Sequence, residues 1–224
     1  MTERHDPSPG RNPRAVLLFG VGAVVVLAAV FGAIAEDVVT GDPLVKLDQA
    51  IAASLHAYGH PILVAFLMRV TQLHSIAGIS VLALAFGAYL AWKRAWYWVL
   101  TLALALPGGM AMNTLFKQAF HRARPTFDGP LLTLTSYSFP SGHTAGATLF
   151  YGVLAAYLLT RVRTLRSRAA CVTGAVLMVA LVGFSRIYLG VHYLSDVLAA
   201  AAGSASWLAL CLLLVHLVDK RRSA

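Results

Sequence analysis

Residues 15–35 read AVLLFGVGAVVVLAAVFGAIA, 21 residues without a charge or a strong helix breaker. A hydrocarbon core about 30 Å thick needs roughly 20 apolar residues in a helix, so this run is long enough to cross a bilayer. It is too long for the apolar region of a cleavable signal, and no small-residue cleavage site leads into a soluble domain. Working outward, apolar runs recur at about 75–92, 96–114, 143–160, 169–187 and 193–217. Together they use most of the 224 residues, 58% of which are hydrophobic and 12% charged. The mean hydropathy is +0.72. That composition excludes an ordinary soluble globular domain. The expected fold class is all-α: a polytopic bundle of six membrane-spanning helices with short interfacial helices on the outer side. Residues 14–219 form one membrane domain, between a disordered tail (1–13) and a short carboxyl-terminal tail (220–224).

Basic residues in short loops are retained on the cytoplasmic side. With the amino terminus inside, that side collects Arg4, Arg11, Arg14, Lys93, Arg94, Arg161, Arg163, Arg166, Arg168, Lys220, Arg221 and Arg222, 12 of the 18 lysines and arginines. The net charge of +9 therefore reflects topology rather than nucleic-acid binding. Both termini are placed in the cytoplasm and the opposite loops outside a cell inner (plasma) membrane. Lys46, Arg69, Lys117, Arg122, Arg124 and Arg186 break the rule on the outer side. Arg69 and Arg122 read as snorkelling anchors. Cys171 and Cys211 both fall inside spans and read as packing residues.

Asp42-Pro43 opens a surface helix, an N-cap residue followed by proline at the first helical position. Leu44, Leu47, Ile51 and Leu55 give it one apolar stripe, and Gly59-His60-Pro61 closes it. Residues 62–73 are too few to span and form a second short helix dipping into the surface. Ala199–Ala205 is a small-residue tract suited to close helix packing. Asp37, Asp42 and Asp48 read as caps or solvated groups, and His5, His56, His60, His74, His121 and His216 as interfacial or solvated histidines. Tyr188 and Tyr193 read as interface aromatics or as the lining of a lipid entry.

The longest polar stretch, Lys117 to Gly142, is outside. Three clusters meet at that face: Lys117-Gln-Ala-Phe-His-Arg-Ala-Arg124-Pro125, Pro140-Ser141-Gly142-His143, and Ser185-Arg186 followed by His192 and Asp196. Ser141 is a good N-cap, and the amides of Gly142, His143 and Thr144 then open a helix as an anion site. Lys117, Arg124 and Arg186 add three cations, two of them guanidinium forks matched to phosphate oxygens. His192 and Asp196, four apart on a helix start, share a face. The carboxylate can then fix the tautomer and leave the other ring nitrogen as nucleophile or base. His143 on the opposite wall is free to protonate a leaving oxygen. Phosphoryl transfer is the chemistry that this set suits.

The pattern Lys117-x6-Arg124-Pro125, Pro140-Ser141-Gly142-His143, Ser185-Arg186-x5-His192-x3-Asp196 resembles the three-part signature of the type 2 phosphatidic acid phosphatase family, across residues 117–196. The resemblance implies His192 as nucleophile, Asp196 as its orienting partner and His143 as general acid. Lys117, Arg124, Ser141, Gly142 and Arg186 become the phosphate ligands. It implies no metal and no cofactor, and the sequence contains no ligand cluster of usual spacing. The partners implied are the membrane and a lipid phosphate such as undecaprenyl pyrophosphate, phosphatidic acid or phosphatidylglycerophosphate, with no nucleic acid and no required protein partner. A lipid phosphotransferase would use the same site. Vanadate-dependent haloperoxidases have a similar site, but six spans and a lipid-facing mouth speak against them. A transporter would place ionisable groups at mid-membrane, where the spans here have almost none, and an inactive relative would have lost a histidine.

Overall fold

The computed structural model describes residues 13–41, 43–57, 60–127, 132 and 134–223. Residues 1–12 of the expected tail, the Asp42 cap, and Gly59, Gly129 and Pro130 lie outside the described residues. Among the described residues there are eight helices and no strand: α1 (Pro13–Thr40), α2 (Pro43–Ala57), α3 (Pro61–Leu73), α4 (Ile76–Trp92), α5 (Trp96–Phe120), α6 (Gly142–Leu159), α7 (Leu165–Tyr188) and α8 (Leu194–Ser223). Local chemistry sets several ends. Pro13 and Pro61 stand at the first helical position, where a missing N–H costs nothing. Ser75 and Thr164 cap α4 and α7, accepting from Gly78 N at 3.2 Å and Ser167 N at 3.1 Å. α1 already includes Pro13, and α8 continues through most of the expected carboxyl-terminal tail.

Four helices are long and apolar enough to cross a membrane: Arg14–Thr40, Trp96–Phe120, Leu165–Tyr188 and Leu194–Asp219. The pair α3 and α4, bent by 55° at a short break, makes a fifth if taken as one span. These apolar helices, each long enough to cross a hydrocarbon core, are those of a multi-pass membrane protein. Six spans were expected. The helices at the other two places exist, but α4 has only 17 residues, and α6 carries Gly142, His143, Thr144 and Thr148 in its first two turns.

The polar first turns of α6 follow from its place, since α4, α5, α7 and α8 all pack against it and lipid need not solvate it. Leu149, Phe150, Val153 and Tyr157 of α6 meet Leu102, Ala105 and Leu106 of α5, Ile79 and Leu90 of α4, and Leu208 and Cys211 of α8 in one core. Glycines set the closest approaches. A Cβ on Gly109 would stand 2.6 Å from Leu149 Cδ1, and one on Gly183 2.5 Å from Val197 Cγ1, the small-residue packing that membrane helices use. The alanine-rich tract packs as expected, with Ala199, Ala200 and Ala202 buried and Gly203 beneath Phe31 of α1. Leu18, Phe19, Leu84, Trp92 and Leu165 face outward, each more than 70% exposed, as suits a lipid-facing surface.

Helix directions bring one set of ends together. Met110 of α5 lies beside Gly146 of α6, and Gly109 beside Leu149. Thr144 of α6 meets Gly183 of α7, and Gly183 meets Val197 of α8. So α5 and α7 run one way, α6 and α8 the other. The last turns of α5 and α7 meet the first turns of α6 and α8.

Candidate active site

Those four ends surround a cavity of about 580 Å³. Its polar wall carries Lys117, Arg124, His143, Arg186 and His192, with the Gly142 backbone at the start of α6. Its apolar wall carries Ile76, Ile79, Met110 and Leu134. Among the described residues no carboxylate lines it.

Lys117 lies on α5, whose helix continues to Phe120 instead of stopping near 114 as expected. Its Nζ donates to the carbonyls of Tyr137 at 2.6 Å and Ser138 at 3.2 Å. Arg124, in the connection after α5, donates from Nε to Ser136 O at 2.6 Å and from Nη2 to Ser136 Oγ and Tyr137 O. Two cations from one motif thus hold the strip 136–138 across the mouth. Arg186, in the last turn of α7, is 2% exposed and donates from Nη1 to Thr71 of α3. Its Nε is the one buried side-chain polar atom without a hydrogen-bond partner among the described residues. Such an orphan donor costs roughly 1–3 kcal/mol unless a ligand takes it up.

His192 sits in the turn between α7 and α8, which Gly190 permits with φ of +72°. Its own amide and that of Val191 donate to Arg186 O at 3.3 and 3.2 Å, so the arginine and the histidine are tied through the backbone. Nδ1 faces Asp196 Oδ2 at 3.2 Å, and Nε2 faces Arg124 Nη1 at 3.2 Å. A guanidinium has donors only. Nε2 must therefore be the acceptor and Nδ1 must carry the proton. Burial pushes the His192 imidazole down to about 4, against the pull of the Asp196 carboxylate. The ring is neutral at ordinary pH, with its lone pair toward the cavity.

Ser141 differs from expectation. It occupies the N-cap position of α6, but its hydroxyl makes no cap bond. It accepts instead from Thr144 Oγ1 at 3.1 Å, fully buried behind the cavity wall. The first bond of the α6 ladder is Ala145 N to Ser141 O, which leaves the Gly142, His143 and Thr144 amides ahead of it, as the anion-site reading requires.

Four groups that the sequence reading passed over belong here. Arg122, read as a snorkelling anchor, is folded inward between Asp196 and Asp48, and Asp48, read as a solvated group, is 0% exposed. Ser138 donates to Asp196 Oδ2. His74, read as interfacial, is buried on the cavity wall, its Nδ1 at 2.8 Å from Val70 O and its Nε2 at 2.8 Å from Tyr151 Oη. Their partners lie 58 or more residues away in most cases, so spacing gave no signal. His121 ends α5 in the left-handed region, its ring edge-on to Tyr137 at 4.4 Å and outside the cavity lining.

The PAP2 superfamily model matches residues 96–220, more than half of the chain and all three motifs. This chain belongs to the PAP2 superfamily. Phosphatidylglycerophosphatase B of Bacillus subtilis (strain 168) is 32% identical to this PAP2 protein over 153 residues, 67% of this chain and 74% of that one. The crystal structure of a transmembrane PAP2 type phosphatidylglycerolphosphate phosphatase from Bacillus subtilis superposes with a TM-score of 0.66 at 28% identity, covering 94% of this chain and 96% of that one. The Aquifex aeolicus LpxE structure gives 0.56 at 26% identity, over 76% and 94%. The family that the motifs resembled is thus the family that sequence and fold both return.

Proposed function

We propose that the protein removes phosphate from a membrane lipid through a phosphohistidine on His192, without a metal ion. The observation that carries this reading is the composition of one cavity: three cations, three histidines (His74, His143 and His192) and, among the described residues, no carboxylate on its wall and a buried Arg186 Nε with no hydrogen-bond partner. A phosphate group supplies the missing negative charge. Its oxygens take up Arg186, Lys117 and Arg124 and the amide of Gly142. Ser141 joins them by turning its hydroxyl away from Thr144. Donors placed in this way are worth about 3 kcal/mol each in the transition state.

Arg124, drawn onto the phosphate, uncovers Nε2 of His192. Nε2 attacks phosphorus in line, the bond to the leaving oxygen breaks, and His143 gives that oxygen a proton. Asp196 stabilises the charge that develops on the imidazole. In the second step His143 takes a proton from water, the water oxygen attacks phosphorus, the P–N bond breaks, and inorganic phosphate leaves. Among the described residues no group of three or more His, Cys, Asp or Glu converges, so the donor set offers a divalent metal little.

The apolar wall of Ile76, Ile79, Met110 and Leu134 suits a substrate whose tails stay in the bilayer. The Bacillus relative's name favours phosphatidylglycerophosphate over phosphatidic acid and undecaprenyl pyrophosphate. The same reading takes residues 14–219 as one domain with six crossings in the inner membrane, the site-bearing helix ends outward and both tails in the cytoplasm. The connections 93–95 and 160–164, which carry Lys93, Arg94, Arg161 and Arg163, lie at the helix ends away from the site, in keeping with that orientation.

The test is phosphate release by purified protein in detergent with EDTA, wild type against His192→Gln, on those three lipids. Metal-free release by wild type, reduced about a thousand-fold or more in the variant, is the expected result. Release that requires an added divalent ion, or a variant that keeps its rate, overturns the mechanism. Phosphate passed to an added alcohol in preference to water would make the protein a transferase.

A further inference from the structure

Arg122 and Arg124 stand two residues apart and point in opposite directions. Arg124 lines the cavity, whereas Arg122 does not. Its guanidinium lies behind the nucleophile, between two carboxylates that are each 0% exposed. Nη1 donates to Asp196 Oδ1 at 2.6 Å and to Ser195 Oγ at 2.6 Å, and Nη2 donates to Asp48 Oδ2 at 2.8 Å. The Tyr193 ring lies under the guanidinium at 4.4 Å. Asp48 in turn accepts the Ser195 amide at 2.9 Å and the Ser195 hydroxyl. One cation is thereby oriented by α2, by the first turn of α8 and by an aromatic face.

The two oxygens of Asp196 are used differently. Oδ2 faces His192 Nδ1 and also takes the Ser138 hydroxyl and the Tyr193 amide. Oδ1 takes Arg122. A carboxylate buried this deeply stays ionised only when a cation and hydrogen bonds compensate it, and its plane is fixed only when both oxygens are held. We propose that Arg122, clamped by Asp48 of the surface helix α2, is a positioning residue for the nucleophile. It holds the Asp196 carboxylate so that Oδ2 keeps the proton on His192 Nδ1 and leaves Nε2 with its lone pair. The assignment rests on the reading of His192 as nucleophile. Arg122 acts through Asp196 and touches no reacting atom.

The experiment uses full-length protein in detergent with EDTA and a short-chain phosphatidic acid, comparing wild type with Arg122→Gln, Arg122→Lys, Asp48→Asn and the double variant Arg122→Gln/Asp48→Asn. Loss of an outer partner of this kind costs about 10- to 100-fold. That loss is expected in kcat for Arg122→Gln, with KM within about threefold of wild type. Lysine restores part of kcat, since it returns the charge without the fork. Asp48→Asn lowers kcat in the same sense, and the double variant is no worse than Arg122→Gln, because Asp48 works through Arg122.

A second measurement needs no turnover. The ¹⁵N shifts of His192, assigned by difference from His192→Gln, should show a single Nδ1–H tautomer in wild type and a mixture in Arg122→Gln. A rise in KM at constant kcat would make Arg122 a phosphate ligand instead. Unchanged kinetics, or a single tautomer retained in Arg122→Gln, also overturns the assignment. If wild type releases no phosphate, the phosphatase reading fails, and the tautomer measurement still decides the positioning role.

Discussion

At the resting site a guanidinium proton of Arg124 covers the lone pair of His192 Nε2. On the proposed mechanism the nucleophile is ready in tautomer and masked in access, and a phosphate that draws Arg124 away would expose it. Because burial holds the His192 imidazole down at about 4, protonation removes the nucleophile only below that pH, whereas a free imidazole would lose it near 6.5. The acid limb of kcat/KM, corrected for the substrate's own ionisation, should therefore fall near pH 4 as pH drops. A limb near 6.5 would mean that His192 is solvated in the free enzyme. Arg186→Lys keeps a charge but loses the fork and the Nε donor, and KM should rise about tenfold or more. The residues of this scale that could be read from sequence are those in fixed register along one segment: Lys117 with Arg124, Gly142 with His143, and His192 with Asp196. The four-residue spacing of His192 and Asp196 specifies a shared face wherever a helix starts. Arg122 and Asp48 were misread because 74 residues separate them, and a buried ion pair between distant segments leaves no periodic trace.

At the scale of the element, the break between α3 and α4 fixes one wall of the site. It places Thr71 on Arg186, and His74 against Tyr151. Gly78 makes the 55° bend possible, since a Cβ there would fall 2.1 Å from Leu73 O, a backbone atom with no room to retreat. Gly78→Ala should open the bend, lower the melting temperature in detergent and raise KM through a displaced Arg186. Gly183→Ala meets the stiff Val197 side chain between α7 and α8 and should lose about 1–3 kcal/mol of stability by overpacking. A melting temperature unchanged in either variant would show that the neighbouring helix yields. The helices were legible in outline because apolar runs and Ser, Thr and Pro at their starts mark them. α6 was legible as a helix from its apolar run, and its polar first turns are covered by the neighbouring helices rather than by lipid. The 55° bend was not legible, since it depends on backbone contact across a glycine.

At the scale of the molecule, the proposed orientation predicts which loops reagents reach from each side. With Cys171 and Cys211 replaced by alanine, a cysteine at Ser136 should react with a membrane-impermeant maleimide in intact cells. One at Arg163 should react only after the membrane is opened. The reverse pattern would invert the topology and place the cavity in the cytoplasm. α1 and α8 form the most extensive helix pair, and they pack antiparallel: Gly20 meets Leu213, Ser206 Oγ donates to Val24 O at 3.0 Å, and Phe31 meets Gly203. The start of α1 and the end of α8 consequently emerge on the same side, which is a statement about parity. A chain that leaves on the side where it entered crosses an even number of times, so on the proposed topology an odd number of crossings would require one of these two helices to lie outside the bilayer.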